Sequence, residues 1–315
     1  DVYFDIQKFK DYGKLANRTL DQMSAAERTI TDLNKNHEAD FVLWKIDTDG
    51  ITWPSPWGEG RPGWHIECSA MSIKYLGEEF DIHGGGLDLK FPHHENEIAQ
   101  AKCATEKEFA SLWMHTGPLR IEDKKMSKSL KNFITVKNIL KDFHPEVLRL
   151  FFLLTHYRSP ISYSKEGLEN AKRVLDKFYT LFSNVKTPKK FNLDESFKEN
   201  FISTFQDDFN SPKAISLLQA YAGNSESHSD IITDKLCTLK VLLNSLGLLL
   251  DETENYFKYG ELDLSDEEIK KLISDRDNAR ENRNFDLADK IRDQLSQKGI
   301  VLEDLNGKTV WKKKS

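Results

Sequence analysis

Residues 80–97 decide the fold of the first part of the chain. Phe80-Asp81-Ile82-His83-Gly84-Gly85-Gly86 is followed, after a short gap, by Phe91-Pro92-His93-His94-Glu95-Asn96-Glu97. The first segment predicts a short buried strand that stops at the glycines, and a helix is predicted from about Pro92. A second apolar strand is predicted at 113–116. Because strand, helix and strand alternate, we expect a parallel α/β sheet with its ligand site at the carboxyl ends of the strands.

Before this region, residues 1 to about 62 predict short strands and one helix, and a further helix is predicted to begin near Trp64. After it, the character of the chain changes at Pro145, which suits a first helical position in a helix that we expect to reach Tyr157. Apolar residues then recur at three- and four-residue steps and predict one buried helix face: Leu168, Ala171, Leu175, Phe178 and Phe182. Similar patterns over 195–210, 212–223 and 230–250 complete a predicted helical bundle.

The last fifty or so residues read as a separate small α+β module, after a polar linker at about 251–263. Ser265-Asp266-Glu267-Glu268 is a capping-box pattern that opens a helix. A second helix is predicted around Ile291, with Gly299 as its C-terminal cap. Apolar runs on both sides of Asn306-Gly307 then predict a β-hairpin.

Composition bounds the function classes. The 315 residues have room for two or three domains, and 38% hydrophobic with 30% charged residues suits a soluble, well-cored protein. A net charge of −6 argues against a uniformly basic nucleic-acid coat, although local basic patches remain possible binding sites. No apolar stretch approaches the ~20 residues of a membrane span, and no signal-peptide pattern opens the chain. Three cysteines form no disulfide framework, so we expect a cytoplasmic protein.

Lys125-Met126-Ser127-Lys128-Ser129 carries two ammonium groups with small hydroxyl side chains around them. A loop of this kind can wrap a polyphosphate and stabilise charge on a leaving pyrophosphate. A solvated lysine-rich loop has the same composition, because lysine–phosphate contacts need no demanding geometry. The pentapeptide resembles the second signature of the class I aminoacyl-tRNA synthetases. That resemblance implies that Lys128 contacts ATP phosphates, that Lys125 supports the loop, and that Met126, Ser127 and Ser129 belong to the ATP site.

Cys68, His93 and Glu97 are candidate metal ligands. His93 and Glu97 are four residues apart on a predicted helix and so share a face, while Cys68 belongs to another element. A thiolate, an imidazole and a carboxylate that converge form a zinc ligand set. Sequence separation does not prove convergence, however. A lone cysteine is usually a small buried hydrophobe, and a helical His/Glu pair is more often a surface hydrogen bond.

Three segments closely resemble cysteinyl-tRNA synthetases, and they are residues 63–71, 80–86 and 91–97. The resemblance implies that Cys68, His93 and Glu97 bind one Zn²⁺ per subunit, with a further N-terminal cysteine that has no counterpart here. Neither Cys103 nor Cys237 is a natural substitute. The implied zinc coordinates the thiolate of L-cysteine, and a serine hydroxyl is a far poorer ligand, so no editing site is required.

The same resemblance implies further contacts on the active face. Gly86 and Asp88 match the nucleotide-contacting segment, where a glycine lets the backbone approach ATP and a carboxylate accepts from ribose hydroxyls. A plain flexible turn is the alternative for the three glycines. Trp64 and His83 are implied to line the amino-acid site. No nucleophile or general base is expected, because the cysteine carboxylate itself attacks ATP, which is bound with Mg²⁺, and the protein positions the reactants and stabilises charge.

The tRNA-reading end is also implied by resemblance. The bundle resembles the anticodon-stem domain, and Arg280, Asp289 and Asp304 match positions that read anticodon bases of tRNA(Cys). Arginine can donate to guanine, and carboxylates can accept from amino groups of unpaired bases. Ordinary exposed charges are the alternative, and Lys312 to Lys314 are either phosphate contacts or a frayed tail.

These features together predict an incomplete Rossmann-type α/β catalytic domain, followed by an α-helical bundle and a small α+β C-terminal module. The expected domains are residues 1–134, which end with the signature loop, then 135–251, a linker at 252–262, and 263–315. We expect a monomer without membrane contact. The expected activity is that of a ligase that activates L-cysteine with ATP and transfers it to tRNA(Cys).

One expected feature is missing from the sequence. The first class signature, His-Ile-Gly-His or similar, does not occur, and the chain opens on Asp1 without an initiator methionine. We therefore expect that the N-terminal half of the nucleotide fold is lacking and that this polypeptide alone cannot make cysteinyl adenylate. Two alternatives remain: a mycothiol-type cysteine ligase, which lacks a tRNA-reading end, and a non-catalytic tRNA-binding protein derived from a synthetase.

Overall fold

The computed structural model describes residues 1–19, 22, 35–121, 124–125, 134–183, 188, 190–223, 230–305 and 308–313. At 124–125, 230–233, 304–305 and 308 it describes the backbone alone. The chain forms two compact units, Asp1–Pro118 and Leu119–Ser315. Within the described part of the chain, no helix is long and apolar enough to cross a membrane.

The first unit opens with an antiparallel sheet of three strands, in which the second strand is central. The strands are β1 (Val2–Phe4), β2 (Phe41–Ile46) and β3 (Gly60–Pro62). Phe41 is buried and stacks on Phe4, with ring centroids 4.9 Å apart. Aromatic and branched side chains favour such half-buried strands. The next helix begins directly after the third strand of this sheet.

Helix α1 (Trp64–Leu76) confirms the helix predicted near Trp64. It begins after Gly63, where an added Cβ atom would lie 2.0 Å from the Val42 carbonyl oxygen. Only glycine therefore allows the chain to pass this close to β2 before the helix starts. The close approach fixes the position of α1, which carries Cys68, relative to the sheet.

A parallel β–α–β unit follows, as predicted, and consists of β4 (Phe80–Gly86), α2 (Glu95–Thr105) and β5 (Ala110–Thr116). The predicted stop at the glycines is wrong, because β4 pairs with β5 through to Gly86, opposite Thr116. Ile82 is 55% exposed, so the strand is also not buried as expected. The helix begins at Glu95, after an irregular turn at Lys90–His94.

In the second unit, β6 (Leu119–Ile121) lies between β7 (Lys124–Lys125), which is antiparallel to it, and β8 (Ile161–Tyr163), which is parallel to it. The strand predicted at 113–116 is part of β5. Gly117 and Pro118 separate β5 from β6, because proline has no N–H to continue a ladder.

The helices that follow are α3 (Val136–Ile139), α4 (Pro145–Leu153), α5 (Lys165–Phe182), α6 (Glu195–Gln206), α7 (Ser211–Gly223) and α8 (Asp230–Ser245). Pro145 occupies the first turn of α4, as predicted, but the helix ends at Leu153 and not at Tyr157. The predicted apolar stripe of α5 is confirmed, since its members are all in the buried core. A buried carboxylate, Glu146, accepts hydrogen bonds from Tyr179 Oη at 3.0 Å and from the backbone of Leu249 at 2.7 Å, which joins three segments of the bundle.

The terminal module consists of α10 (Asp266–Glu281), α11 (Phe285–Gln297) and the antiparallel hairpin of β9 (Ile300–Leu305) and β10 (Lys308–Lys313). The capping box at Ser265 and Glu268 is confirmed, and Gly299 follows α11 with a φ of +77°. The segment expected to be a linker contains a short helix, α9 (Thr253–Lys258), with Tyr256 buried against the bundle core. A buried cluster of Ile269, Ile291, Leu295, Ile300 and Trp311 holds the module together.

Candidate metal centre

Three side chains of the first unit converge near His83 of β4. Cys68 comes from α1, Glu97 from α2, and His93 from the turn just before α2. Their ligand atoms all lie within 4.8 Å of one another. The irregular turn places His93 outside the regular helix, yet its Nε2 atom still lies 3.5 Å from Glu97 Oε1. A sulfur, a nitrogen and an oxygen therefore face one point.

The Glu97 carboxylate is buried without the hydrogen bonds that a buried carboxylate needs, as far as the described residues show. Its side chain is 0% exposed, and neither carboxylate oxygen has a hydrogen-bond partner of adequate geometry among the described residues. The nearest nitrogen atoms are His83 Nε2 at 3.2 Å and His93 Nε2 at 3.5 Å. A buried carboxylate is stable only with a counter-charge. A cation bound between Cys68, His93 and Glu97 supplies that charge, and this donor set suits Zn²⁺.

The thiol of Cys68 is poised to respond to a cation. Burial raises the pKa of Cys68, and the nearby Glu97 carboxylate raises it further, so the group is a thiol at neutral pH when no cation is bound. A bound divalent ion reverses this, because a coordinating thiol is deprotonated. Metal binding at this site is therefore expected to release a proton.

His65 was not singled out from the sequence, yet it contacts a candidate ligand directly. Its Nδ1 atom lies 2.7 Å from His93 Nδ1. Burial, and then the charge of His93, lowers the pKa of His65 to about 4, so it is neutral at pH 7. A neutral His65 can accept the Nδ1 proton of His93, which leaves His93 Nε2 free as a ligand atom. Its spacing, three residues before Cys68 on one helix, is the sequence signal that could have identified it.

Trp64 covers this pair of imidazoles. Its ring stacks on His65 and His93, with centroid distances of 5.5 Å and 4.9 Å. The indole remains 64% exposed, so it is not a core tryptophan. Trp64 thus forms an open apolar surface beside the converging ligands.

A second group of possible ligands shares Glu97. The ligand atoms of His83, His94 and Glu97 also lie within 4.8 Å of one another. His94 Nδ1 lies 2.9 Å from His115 Nε2, and burial lowers the pKa of His94 to about 4. His83 faces the carboxylate oxygen that points away from His93. Only the Cys68 group includes a sulfur ligand, so of the two groups it suits Zn²⁺ better, and His83 Nε2 faces the other oxygen of Glu97.

The two predicted nucleotide contacts lie at the carboxyl end of β4. A Cβ atom added to Gly86 would lie 2.5 Å from Asp88 Oδ1, so any other residue here would displace the Asp88 carboxylate from its present position. Asp88 is exposed. This is the edge of a parallel sheet at which α/β folds bind nucleotides.

Most of the predicted phosphate loop lies outside the described residues, namely Met126, Ser127, Lys128 and Ser129. Lys125 belongs to β7, opposite Arg120 of β6, and its backbone alone is described.

The three predicted anticodon contacts lie on three elements of the terminal module. Arg280 is exposed in the last turn of α10, and Asp289 is exposed on α11. Asp304 is part of β9, and its side chain lies outside the described part. Of the other two cysteines, Cys103 is exposed on α2 and Cys237 is buried in the bundle.

Comparison with known proteins gives a consistent answer. The family model of the class I (C) tRNA synthetase catalytic domain matches residues 1–173. The chain is 45% identical to a cysteine–tRNA ligase of Hydrogenovibrio crunogenus, over 99% of this chain and 69% of the relative. It is 47% identical to that of Methylococcus capsulatus, over 99% of this chain and 70% of the relative. A Coxiella burnetii cysteine–tRNA ligase is 46% identical, with 99% and 69% of the two chains covered.

Among solved structures, a leucyl-tRNA synthetase complex from Agrobacterium radiobacter is similar with a TM-score of 0.47 and 14% identity, over 82% of this chain and 45% of that one. The family assignment comes from the sequence matches. At this level of identity and coverage, the chain belongs to the cysteine–tRNA ligases, a family of class I aminoacyl-tRNA synthetases.

Proposed function

We propose that this chain serves the ATP-dependent attachment of L-cysteine to tRNA(Cys), with one Zn²⁺ held by Cys68, His93 and Glu97. The carrying observation is the fully buried Glu97 carboxylate, which has no hydrogen bond of adequate geometry within the described ranges and faces a thiol and an imidazole. Such a group is costly in an apoprotein and favourable beside a cation. Membership of the family supports the rest of the proposal.

Selection of cysteine follows from these residues. When bound, the zinc ion supplies a soft coordination position that a thiolate fills and a serine hydroxyl fills poorly. His65 orients the ring of His93 through the contact between their Nδ1 atoms, and His83 faces the second oxygen of Glu97. Trp64 offers an apolar surface beside the bound amino acid. With His83 and Trp64, the chain thus lines the amino-acid site and fixes the orientation of its ligands.

Activation of the amino acid needs charge stabilisation and no protein base. The cysteine carboxylate attacks the α-phosphate of ATP, which is bound with Mg²⁺, and pyrophosphate leaves. Gly86 and Asp88 approach the nucleotide, and Met126, Ser127 and Ser129 line its phosphates. Lys125 and Lys128 bring positive charge to the leaving pyrophosphate. The signature loop supports this assignment through its resemblance to the class.

The second unit is proposed to read the tRNA. Residues 135–251 contact the anticodon stem, and residues 263–315 bind the anticodon through Arg280, Asp289 and Asp304. The terminal module favours tRNA over the amino sugar of a mycothiol-type ligase, which has no such module. We propose that the protein is a cytoplasmic monomer.

The test is cobalt(II) titration of this chain, followed by addition of amino acids. We expect one equivalent of Co²⁺ to bind with a sulfur-to-cobalt charge-transfer band. L-cysteine should then intensify the band, whereas L-serine should leave it unchanged. Cys68→Ser should abolish the band, and Cys103→Ser, the matched control at an exposed cysteine, should retain it.

Two outcomes would contradict the proposal. One is the absence of stoichiometric metal binding. The other is an equal spectral response to cysteine and serine, which would mean that the site does not select the substrate through its sulfur.

A further inference from the structure

The helices that carry Cys68 and Glu97 are joined by a buried hydrogen bond right beside the candidate ligands. Ser69 Oγ of α1 donates to Gln100 Oε1 of α2 at 2.6 Å, and the two side chains are 3% and 8% exposed. Ser69 directly follows Cys68, and Gln100 lies one helical turn after Glu97. The bond therefore joins the two helices at the level of the metal site.

We propose that Ser69 and Gln100 are positioning residues for the metal centre, which hold the Cys68 thiolate within coordination distance of His93 and Glu97. The inference rests on the proposed zinc binding. Neither residue touches the metal or the substrate in this proposal. They act by fixing the separation and rotation of α1 relative to α2.

A purely apolar contact would not fix the separation and rotation of α1 relative to α2. Hydrophobic packing is non-directional and tolerates small sliding movements of one helix along another. Zinc ligands must lie within about 0.2 Å of their proper distances. A short hydrogen bond fixes direction as well as distance. A directional contact beside the ligands is therefore the kind of support that a metal site needs.

The cost of the Gln100 side chain points the same way. Its Nε2 atom is buried and has no hydrogen-bond partner among the described residues. A leucine of similar size would fill this interface without that unsatisfied donor. Ser69 Oγ also lies 3.3 Å from the His65 carbonyl oxygen in its own helix, a longer contact than the one between the helices. The costly amide is thus best explained by the bond that it accepts from Ser69.

The experiment compares wild type with Gln100→Leu, Ser69→Ala and the double variant. Zinc affinity is measured by competition with a chromophoric chelator, and site geometry by the spectrum of bound Co²⁺. Each single change is expected to weaken zinc binding roughly 10- to 100-fold, the usual effect of losing a group that orients a metal ligand. The cobalt spectrum should broaden or shift. The double variant should be no weaker than the weaker single variant, because one bond is lost in every case.

Two controls separate positioning from general damage. Ser69→Thr keeps the hydroxyl and should restore near-normal affinity, and Gln7→Leu, at an exposed position of the same unit, should bind zinc normally. If Gln100→Leu does not fold, Ser69→Ala decides the question, because it removes one oxygen atom only. Unchanged affinity and an unchanged cobalt spectrum in Ser69→Ala would overturn the inference. If the wild-type protein binds no metal, the proposed function itself fails. If wild type and Ser69→Ala bind metal equally well, only the positioning role fails, so the two failures are distinguishable.

Discussion

The Asp208 carboxylate shows how strongly a few contacts can act on one surface residue. It accepts hydrogen bonds from Arg158 Nη2 at 3.1 Å and from Tyr157 Oη at 2.6 Å. These contacts, the one from Arg158 first and that from Tyr157 second, lower the pKa of Asp208 from 3.8 to about 2. They connect the segment after α4 to the turn after α6.

We expect Asp208→Asn to remove part of the acid sensitivity of the protein. Between pH 3.8 and about 2, Asp208 stays ionised in the folded state but takes up a proton in the unfolded state. Its contribution is therefore complete above pH 3.8 and is lost as pH falls through about 2. Urea unfolding at several pH values should show the difference between wild type and variant shrinking as pH falls.

The Asp208→Asn substitution should introduce no backbone strain. Asp208 has a φ of +53°, a conformation that asparagine adopts at least as readily. Arg158→Met, which removes the main cause of the lowered pKa, should reproduce the weaker pH dependence. A stability difference that is constant from pH 5 to 2 would contradict the prediction.

At the scale of single residues, the sequence identified Cys68, His93 and Glu97 as candidate ligands through a family resemblance, and the fold brings them together. It did not identify His65 or Gln100 as parts of that neighbourhood. The spacing of His65 to Cys68 on α1 is a local signal, but the contact between Ser69 and Gln100 depends on how α1 and α2 pack, and no periodicity within either helix encodes that packing. Residues that orient a ligand are therefore harder to find than the ligand.

At the scale of elements, local signals were most reliable where a side chain caps a helix. Ser265 accepts from the backbone N–H of Glu268, and the Glu268 carboxylate accepts from the N–H of Ser265. Both bonds form within four residues, so the sequence alone determines them.

Ser265→Ala should destabilise the terminal module by about 1 kcal/mol, because one N–H group of the first turn of α10 loses its acceptor. Thermal unfolding or hydrogen exchange of α10 would measure the loss. The matched control is Ser274→Ala, at an exposed position in the middle of the same helix, which should leave stability unchanged or raise it slightly. Equal effects of the two substitutions would count against the capping role.

Sequence signals were less reliable where an element is stabilised by residues that are distant in the sequence. Glycines at 84–86 predicted the end of a strand, but β4 continues because β5 supplies hydrogen-bond partners through to Gly86. The polar composition of 251–263 hid α9, whose stability comes from Tyr256, stacked on Tyr179 of α5 at a centroid distance of 3.8 Å. Both features depend on residues far away in the sequence.

At the scale of the whole molecule, the predicted order of an α/β part, helices and a small terminal module agrees with the elements of the structure. The domain boundary predicted at residue 134 stays a prediction. The chain divides into two compact units after Pro118, and β6 belongs to the second unit because it pairs in parallel with β8 some forty residues later, at Leu119 and Ile161. No local pattern encodes that pairing.

The proposed zinc ligands all belong to the first compact unit, so the second unit can serve as a reference when zinc binding is tested in the intact chain. A ligand that binds only the folded state stabilises it by RT ln(1 + [L]/Kd), about 2.7 kcal/mol at 100 times the Kd. Zinc should therefore slow amide hydrogen exchange most in α1, α2 and β4, which carry Cys68, Glu97 and His83. Hydrogen exchange followed by mass spectrometry, with and without zinc, would measure this.

The helices of the bundle serve as the internal reference, because none of the proposed ligands lies on them. Cys68→Ser should lose the zinc-dependent protection, while Cys103→Ser, on α2 but exposed, should keep it. Protection spread equally over α1 and the bundle core would indicate non-specific binding to surface carboxylates. Zinc-dependent protection of this kind requires a folded site and a thiolate together. Binding to surface carboxylates therefore cannot produce protection that is confined to α1, α2 and β4.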